Sequence, residues 1–330
     1  MTIAQDTAAE DTPRDDGSSG GIGPRRIAYL GPDGSFASEA ARRASHKPAS
    51  LQPMSTVIDV VDAVRAGSCD WGVVPMENSV EGSVNVTLDE LAFGGAGVYI
   101  RAEITMPVTM NLLGRQDADL TDIAVVRSHS HALAQSRGWL AAHLPQARQE
   151  AVTSTAEAAR QVGADPTLAA IGTTAAASRF GLSIIVADIG DHIDTATRFV
   201  VLGNHFAAAT GSDKTSMVVF FGNDKPGQLV QVLNEFAMRS INLTKIESRP
   251  TKKQLGEYCI FIDCLGHVSE PRVGEALRSV HRHVAELRVL GSYRRSAGHS
   301  ETTSSSDSAV AYAESADWYA GILQHADHGG

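Results

Sequence analysis

The sequence predicts an α/β protein of two domains, the first built on a largely parallel sheet and the second on a βαββαβ order. Three observations carry this. Short apolar strands alternate with helix-length stretches from Arg26 to about residue 205. A run of small and polar residues, HFAAATGSDK, then breaks the alternation at 205–214. Beyond it the apolar spacing switches between strand and helix periods in a new order, ending near Tyr293.

Taken in order, MTIAQDTAAEDTPRDDGSSGGIGP (1–24) is rich in Gly, Ser and Asp without periodicity and reads as a disordered lead-in. RIAYLGPDGSFASEAARRA from Arg26 reads as strand, Gly-Pro turn and helix, with Ser35 or Ser38 as the cap. Further strands are expected at WGVVP (71–75), VYIRAEITMPV (98–108), IAVV (123–126), AAIG (169–172) and LSIIVADI (182–189). HALAQSRGWLAAHL (131–144) and STAEAARQVGA (154–164) read as helices between them. Residues 25–205 therefore form one domain and 206–214 a linker. The second domain, 215–293, reads as strand 215–222, helix 227–239, strands 243–249 and 257–265, helix 271–283 and strand 285–290. That order is the ferredoxin-like split unit. The remainder, 294–330, is Ser/Thr/Ala/His-rich and expected to be loose, with WYAGILQH (318–325) as the alternative short helix.

Composition narrows the function. At 330 residues the chain is long enough for two cores, and 43% hydrophobic with 20% charged residues is ordinary for a globular protein. A formal charge of -10 argues against a general nucleic-acid binder. An anionic ligand must then be held by local cations and backbone amides against the overall field. Cys69, Cys259 and Cys264 make neither a disulfide framework nor a zinc pattern, which fits a reducing, cytoplasmic compartment. No apolar run reaches membrane-spanning length, and the N-terminus carries no secretion-type core.

In α/β sheets chemistry gathers beyond the carboxyl ends of strands. VPMENSVEGSV (74–84) presents Glu77, Asn78 and Ser79 there, with Ser79 or Ser83 available to cap the next helix and Gly82 allowing close approach of an anion. The Gly-Pro turn at 31–32 lacks both G-x-G-x-x-G and a Walker lysine, and reads as an anion-facing turn. In SHSHALAQS (128–136), His129 and His131 form an H-x-H without a nearby third ligand, a weak metal pattern. Ser128 is the better cap there, with Gln135 reaching back to the cleft. Ser154 or Thr155 caps the helix at 154–160, with Glu157 near the capping-box position. Finally, ATRFVVLG (196–203) sets Thr197, Arg198 and Phe199 where a polar loop meets a strand. An ion pair of Arg198 with Asp191 or Asp194 would explain the arginine structurally. A carboxylate clamp beside a hydroxyl facing the same crevice would explain both residues.

In this order, YLGPDGSF, PMENSVEGSV, SHSHALAQ, STAEAA, ATRFVVLG, INLTKIESRP and GEYCIFIDCLG resemble the blocks of prephenate dehydratase followed by an ACT regulatory domain. The resemblance runs from about Arg26 to Tyr293. It implies a catalytic domain of two α/β lobes like a periplasmic binding protein, and conversion of prephenate to phenylpyruvate with loss of water and carbon dioxide. Aromatisation drives that step, so the resemblance implies no metal or other cofactor. Thr197 falls on the family's essential threonine, Arg198 becomes a carboxylate partner and Phe199 a packing neighbour. Glu77, Asn78, Ser79, Gly82, Ser128, Gln135, Ser154 and Thr155 become residues around the substrate.

The ACT part resembles a phenylalanine sensor whose domains pair side by side, implying a homodimer or homotetramer with L-phenylalanine as effector. Gly227, Gln228, Leu229 and Val230 at the turn, and Asn242, Leu243, Glu247, Ser248, Arg249 and Pro250 on the next strand, are the residues it points to. The chain departs from the family pattern at Asp224 and Gln228, where Asn and Ala are usual, at Ser130 and His131 for Pro and Gln, and at Thr195 for Asn. Arogenate dehydratase and a non-catalytic amino-acid sensor are the alternatives. With no all-helical segment ahead of Arg26, a single catalytic function is expected.

Overall fold

A computed structural model describes residues 25–45, 47–163, 165–191, 195–222, 225–252, 256–296 and 308–326. The lead-in 1–24, Asp194 and Asp224 lie outside the described residues. The chain divides into two compact units. One runs to Val98 and resumes over Glu103–Asn204; the other comprises Tyr99–Ala102 and the chain from His205 onward.

The first unit opens with β1 (Arg25–Leu30), α1 (Phe36–Arg43), β2 (Ala49–Met54), α2 (Val57–Arg65) and β3 (Trp71–Asn78). A two-residue β4 (Gly82–Ser83), α3 (Asn85–Phe93) and β5 (Tyr99–Pro107) follow. The chain then crosses to a second lobe. It holds β6 (Asn111–Gly114), β7 (Val125–Ser128), α4 (Ser130–Gln135), α5 (Arg137–His143), β8 (Arg148–Ala151), α6 (Thr155–Val162), β9 (Leu168–Gly172), α7 (Thr174–Phe180) and β10 (Ser183–Val186). It returns to the first lobe as β11 (Ala196–Gly203).

Each lobe has its own sheet, in the orders β5-β11-β3-β1-β2 and β10-β6-β9-β7-β8. The expected largely parallel sheet is corrected to two mixed ones. β1 runs parallel to β2 and β3, and β7 to β8 and β9, through helical crossovers. The strands next to the two crossings, β6 and β11, run antiparallel to β9 and β3 because the chain enters them from the other lobe. Capping explains the helix starts nearest the site. Ser35 caps α1 by accepting from the Ser38 amide, and Ser154 caps α6 by accepting from the Glu157 amide. Neither Ser79 nor Ser83 caps α3, which begins after Val84 without a side-chain cap. The helix expected over 131–144 is broken at Ser136 into α4 and α5, and Asp191 accepts from the Gly138 and Trp139 amides at the start of α5.

The second unit carries β12 (Asp213–Phe220), α8 (Gln228–Ala237), β13 (Leu243–Pro250), β14 (Tyr258–Leu265), α9 (Pro271–His283) and β15 (Glu286–Arg294). Its strand order, β13-β14-β12-β15, is the antiparallel split unit read from the sequence. Met217, Val219, Ile260 and Ile262 on one sheet face bury Val232 and Phe236 of α8 and Val273 and Val280 of α9. The loose tail is corrected: Ala309–Ala326 forms an α10 of 18 residues, for which its alanine content is favourable. Among the described residues no helix is long and apolar enough to cross a membrane.

Candidate active site

Between the two lobes lies a cavity of about 370 Å³, within the range of small-molecule sites. Leu30, Phe36, Pro75, Val108, Met110 and Phe199 give it an apolar wall. Asn78, Glu81 and Thr197 face it from the first lobe, and His129, His131, Gln135, Thr153, Ser154 and Thr155 from the second.

The strand pair β3–β11 sets its floor. Thr197 stands opposite Asn78 in the antiparallel register, and Asn78 Nδ2 donates to Thr197 Oγ1 at 2.9 Å. Asn78 Oδ1 in turn accepts from the Val80 and Glu81 amides at 2.9 and 3.2 Å. Those two contacts fix which end of the amide faces the hydroxyl. The register shifts between Arg198 and Phe199, so that Phe199 pairs with Pro75 and Met76 is the extra residue of a bulge. A proline sits well beside a bulge, having no amide to give to the ladder.

Arg198 does not share the crevice with Thr197. Neighbours on a strand point to opposite faces of the sheet, and Thr197 and Phe199 line the cavity while Arg198 does not. Its Nε donates to Glu103 Oε2 on β5 at 2.7 Å, and its Nη1 lies 3.6 Å from Glu77 Oε2 on β3. The carboxylate clamp is therefore corrected to a buried ion pair holding three strands together. Glu77 belongs to that pair, and the expected partner Asp191 is engaged at α5.

Three further expectations are corrected. Ser128 is fully buried and donates to the Ile171 carbonyl at 2.7 Å, joining β7 to β9 instead of capping α4. Ser79 Oγ accepts from the Ala196 amide at 3.0 Å, so it fastens the entry to β11. Gly82 has φ +81 and supplies the left-handed turn of the β3–β4 hairpin, away from the cavity. By contrast Gln135, Ser154 and Thr155 line the cavity.

Sequence reasoning missed Glu81, whose Oε1 accepts from Gln135 Nε2 at 3.2 Å and contacts His131 Nδ1. Nothing local marks it, because both partners are some 50 residues away. His129 and His131 lie with ring centroids 5.0 Å apart. Burial, then the neighbouring His131, push the His129 pKa below its ordinary 6.5, against a smaller opposing pull from Glu81. Two helix N-termini complete the site: Phe36 and Ala37 open α1, and Thr155 opens α6. First-turn amides have no acceptor within their own helix and carry the positive end of its dipole.

The second unit has a separate pocket of about 340 Å³. Gly227, Gln228, Leu229, Val230 and Ser248 line it, together with Phe221, Lys225 and Tyr258. Gly227 holds φ +86 as the cap of α8, and Gln228 Oε1 accepts from the Lys225 amide at 3.0 Å. Asn242, Leu243, Glu247, Arg249 and Pro250 do not line it. Leu243 packs on the core, and Glu247 lies between Lys245 at 3.0 Å and Arg249 at 3.5 Å along the strand.

Fold and cavity together define a two-lobed α/β protein with a small-molecule cavity, joined to a βαββαβ unit with a pocket of its own. The prephenate dehydratase family model matches residues 27–207, and the ACT domain model residues 216–282. The prephenate dehydratase of Mycobacterium tuberculosis is 42% identical over 279 residues, 81% of this chain and 86% of that protein. That of Amycolatopsis methanolica is 40% identical over 300 residues, 90% of this chain and 97% of that protein. The crystal structure of prephenate dehydratase from Arthrobacter aurescens in complex with L-Phe superposes with a TM-score of 0.81 at 38% identity, covering 91% of this chain and 99% of that one. The chain belongs to the prephenate dehydratase family, whose members are lyases.

Proposed function

We propose that the cavity binds prephenate and that Thr197 gives a hydrogen bond, and then a proton, to the departing ring hydroxyl. The observation that supports this most directly is the Asn78–Thr197 bond. Because Asn78 donates to the threonine oxygen, the hydroxyl proton is left to point at another acceptor. As the ring C–O bond breaks, hydroxide leaves with the bonding pair and becomes water on taking that proton. The bond from the ring to its carboxylate breaks in the same event, releasing carbon dioxide and sending its electrons into the forming aromatic ring. Thr197 then recovers a proton from solvent. A threonine is a feeble acid, so the assistance lies in fixed geometry.

With Arg198 engaged on the far face of the sheet, the two substrate carboxylates are assigned to the first-turn amides of α1 and α6. Each helix end favours an anion by roughly 0.3–1 kcal/mol, and His129 adds a donor from the second lobe. The apolar wall takes the ring.

The second pocket is assigned to L-phenylalanine, which the Arthrobacter aurescens protein binds. Its carboxylate meets the amides after Gly227, and its ring lies by Phe221 and Ile260. Ile246 and Tyr258 are about half exposed, and β13 is the edge of its sheet. That edge suits a second copy, giving a homodimer or a dimer of dimers. The free cysteines fit a cytoplasmic enzyme.

Initial rates of phenylpyruvate formation from prephenate, and of phenylalanine from arogenate, test this on a sample of known solution mass with and without L-phenylalanine. Prephenate is expected to be the preferred substrate, with the rate changed by L-phenylalanine. Turnover of neither compound overturns the reading.

A further inference from the structure

Resting on that dehydratase reading, we infer that His131 determines the preference for a keto acid over the corresponding amino acid, by holding the carboxylate of Glu81. Prephenate and arogenate share their ring, ring hydroxyl and both carboxylates. They differ at one position, where prephenate has a carbonyl oxygen and arogenate an ammonium. A site that admits the ammonium must offer it acceptors, since a cation drawn even partly out of water without partners is disfavoured. Among the described residues lining the cavity, Glu81 is the single carboxylate.

In this chain that carboxylate is engaged. His131 and Gln135 stand one helical turn apart on the same face of α4. His131 Nδ1 and Gln135 Nε2 both meet Glu81 Oε1, the latter at 3.2 Å. Two donors from the second lobe thus occupy one oxygen of a residue on the first. An ammonium would have to compete with them. A keto acid brings two negative charges and no positive one, and it benefits because the imidazole offsets the field of Glu81. Both effects favour prephenate. Gln135 alone supplies one donor, and His131 adds the second. His131 acts through Glu81 and is a positioning residue.

The test compares full-length wild type, His131→Ala, His131→Gln and the double variant Glu81→Gln/His131→Ala, each checked for an unchanged melting transition. The readout is the ratio of kcat/KM on prephenate to that on arogenate. His131→Ala is expected to move the ratio about tenfold toward arogenate. His131→Gln, whose amide still donates, is expected to hold it within about threefold. The double variant is expected to return most of the shift, since no carboxylate remains to be released. An equal change on both substrates in His131→Ala overturns the inference, as does a shift that persists without Glu81. A wild type that prefers arogenate also overturns it. A wild type that turns over neither compound removes the dehydratase reading beneath it, which separates the two failures.

Discussion

Asn78 and Thr197, 119 residues apart in the chain, are joined by a side-chain hydrogen bond of 2.9 Å across neighbouring strands. The direction of that bond matters more than its length. The Asn78 carbonyl is committed to two backbone amides, so its NH₂ group must face the threonine. The threonine oxygen therefore accepts there and keeps its own proton for a third party. Replacing Thr197 by Val preserves shape and removes the proton; kcat on prephenate is expected to fall by about 10²–10³ with little change in KM. Thr197→Ser, which restores the donor, is expected to recover all but about tenfold. An active Val variant beside an impaired Ser variant would show that the methyl, not the hydroxyl, matters.

Arg198 gives a prediction of the opposite kind. Its side chain is 12% exposed and that of Glu103 only 3%. Arg198→Ala takes the guanidinium from a buried carboxylate, and truncating one partner of such a pair costs roughly 3–5 kcal/mol. The denaturation midpoint should fall accordingly. The double variant Arg198→Met/Glu103→Leu removes both charges and should regain most of that stability. A normal midpoint for Arg198→Ala, accompanied by a raised KM, would instead make the guanidinium a substrate ligand.

Much of this architecture was legible from residue pattern, and the failures are instructive. Ser35 and Ser154 stand directly before their helices, where a short hydroxyl side chain meets an orphan amide, so local chemistry was enough. The alternation of β11 was equally visible and sets Thr197 and Arg198 on opposite faces; expecting both in one crevice ignored the pleat. Ser128 was misread because a hydroxyl that caps a helix and one that donates across a sheet look alike in sequence. Glu81 had no local signal, since its meaning depends on two donors brought over from the other lobe. The same limit applies to Tyr258 and Phe221, which reach the second pocket from different strands and loops.

His129 supplies a pH-dependent prediction. Burial and the neighbouring His131 hold its pKa below 6.5 in the folded protein. Between that folded value and 6.5 the unfolded chain binds a proton that the folded chain refuses, so stability rises with pH across this window. The contribution is nil above 6.5 and reaches its full penalty once pH drops past the folded value. Proton NMR of the His129 ring, assigned with a His129→Asn variant, should give a midpoint under 6.5. Adding phenylpyruvate should raise it, because a carboxylate in the cavity favours imidazolium. A midpoint at or above 6.5 without ligand would refute the account.

The second pocket is testable without any turnover. Gly227 occupies φ +86 at the start of α8, and a side chain there meets nothing within 4 Å. Space is therefore no obstacle to Gly227→Ala, but backbone conformation is, at about 1 kcal/mol. Relaxing that strain turns the first amides of α8 away from the pocket. Calorimetric titration with L-phenylalanine should show wild-type binding weakened several-fold in the alanine variant. The affinity of the Thr197→Val protein should match wild type, since that change lies in the other unit. Should the alanine variant bind L-phenylalanine as tightly as wild type, the amides after Gly227 are not what receives the effector's carboxylate.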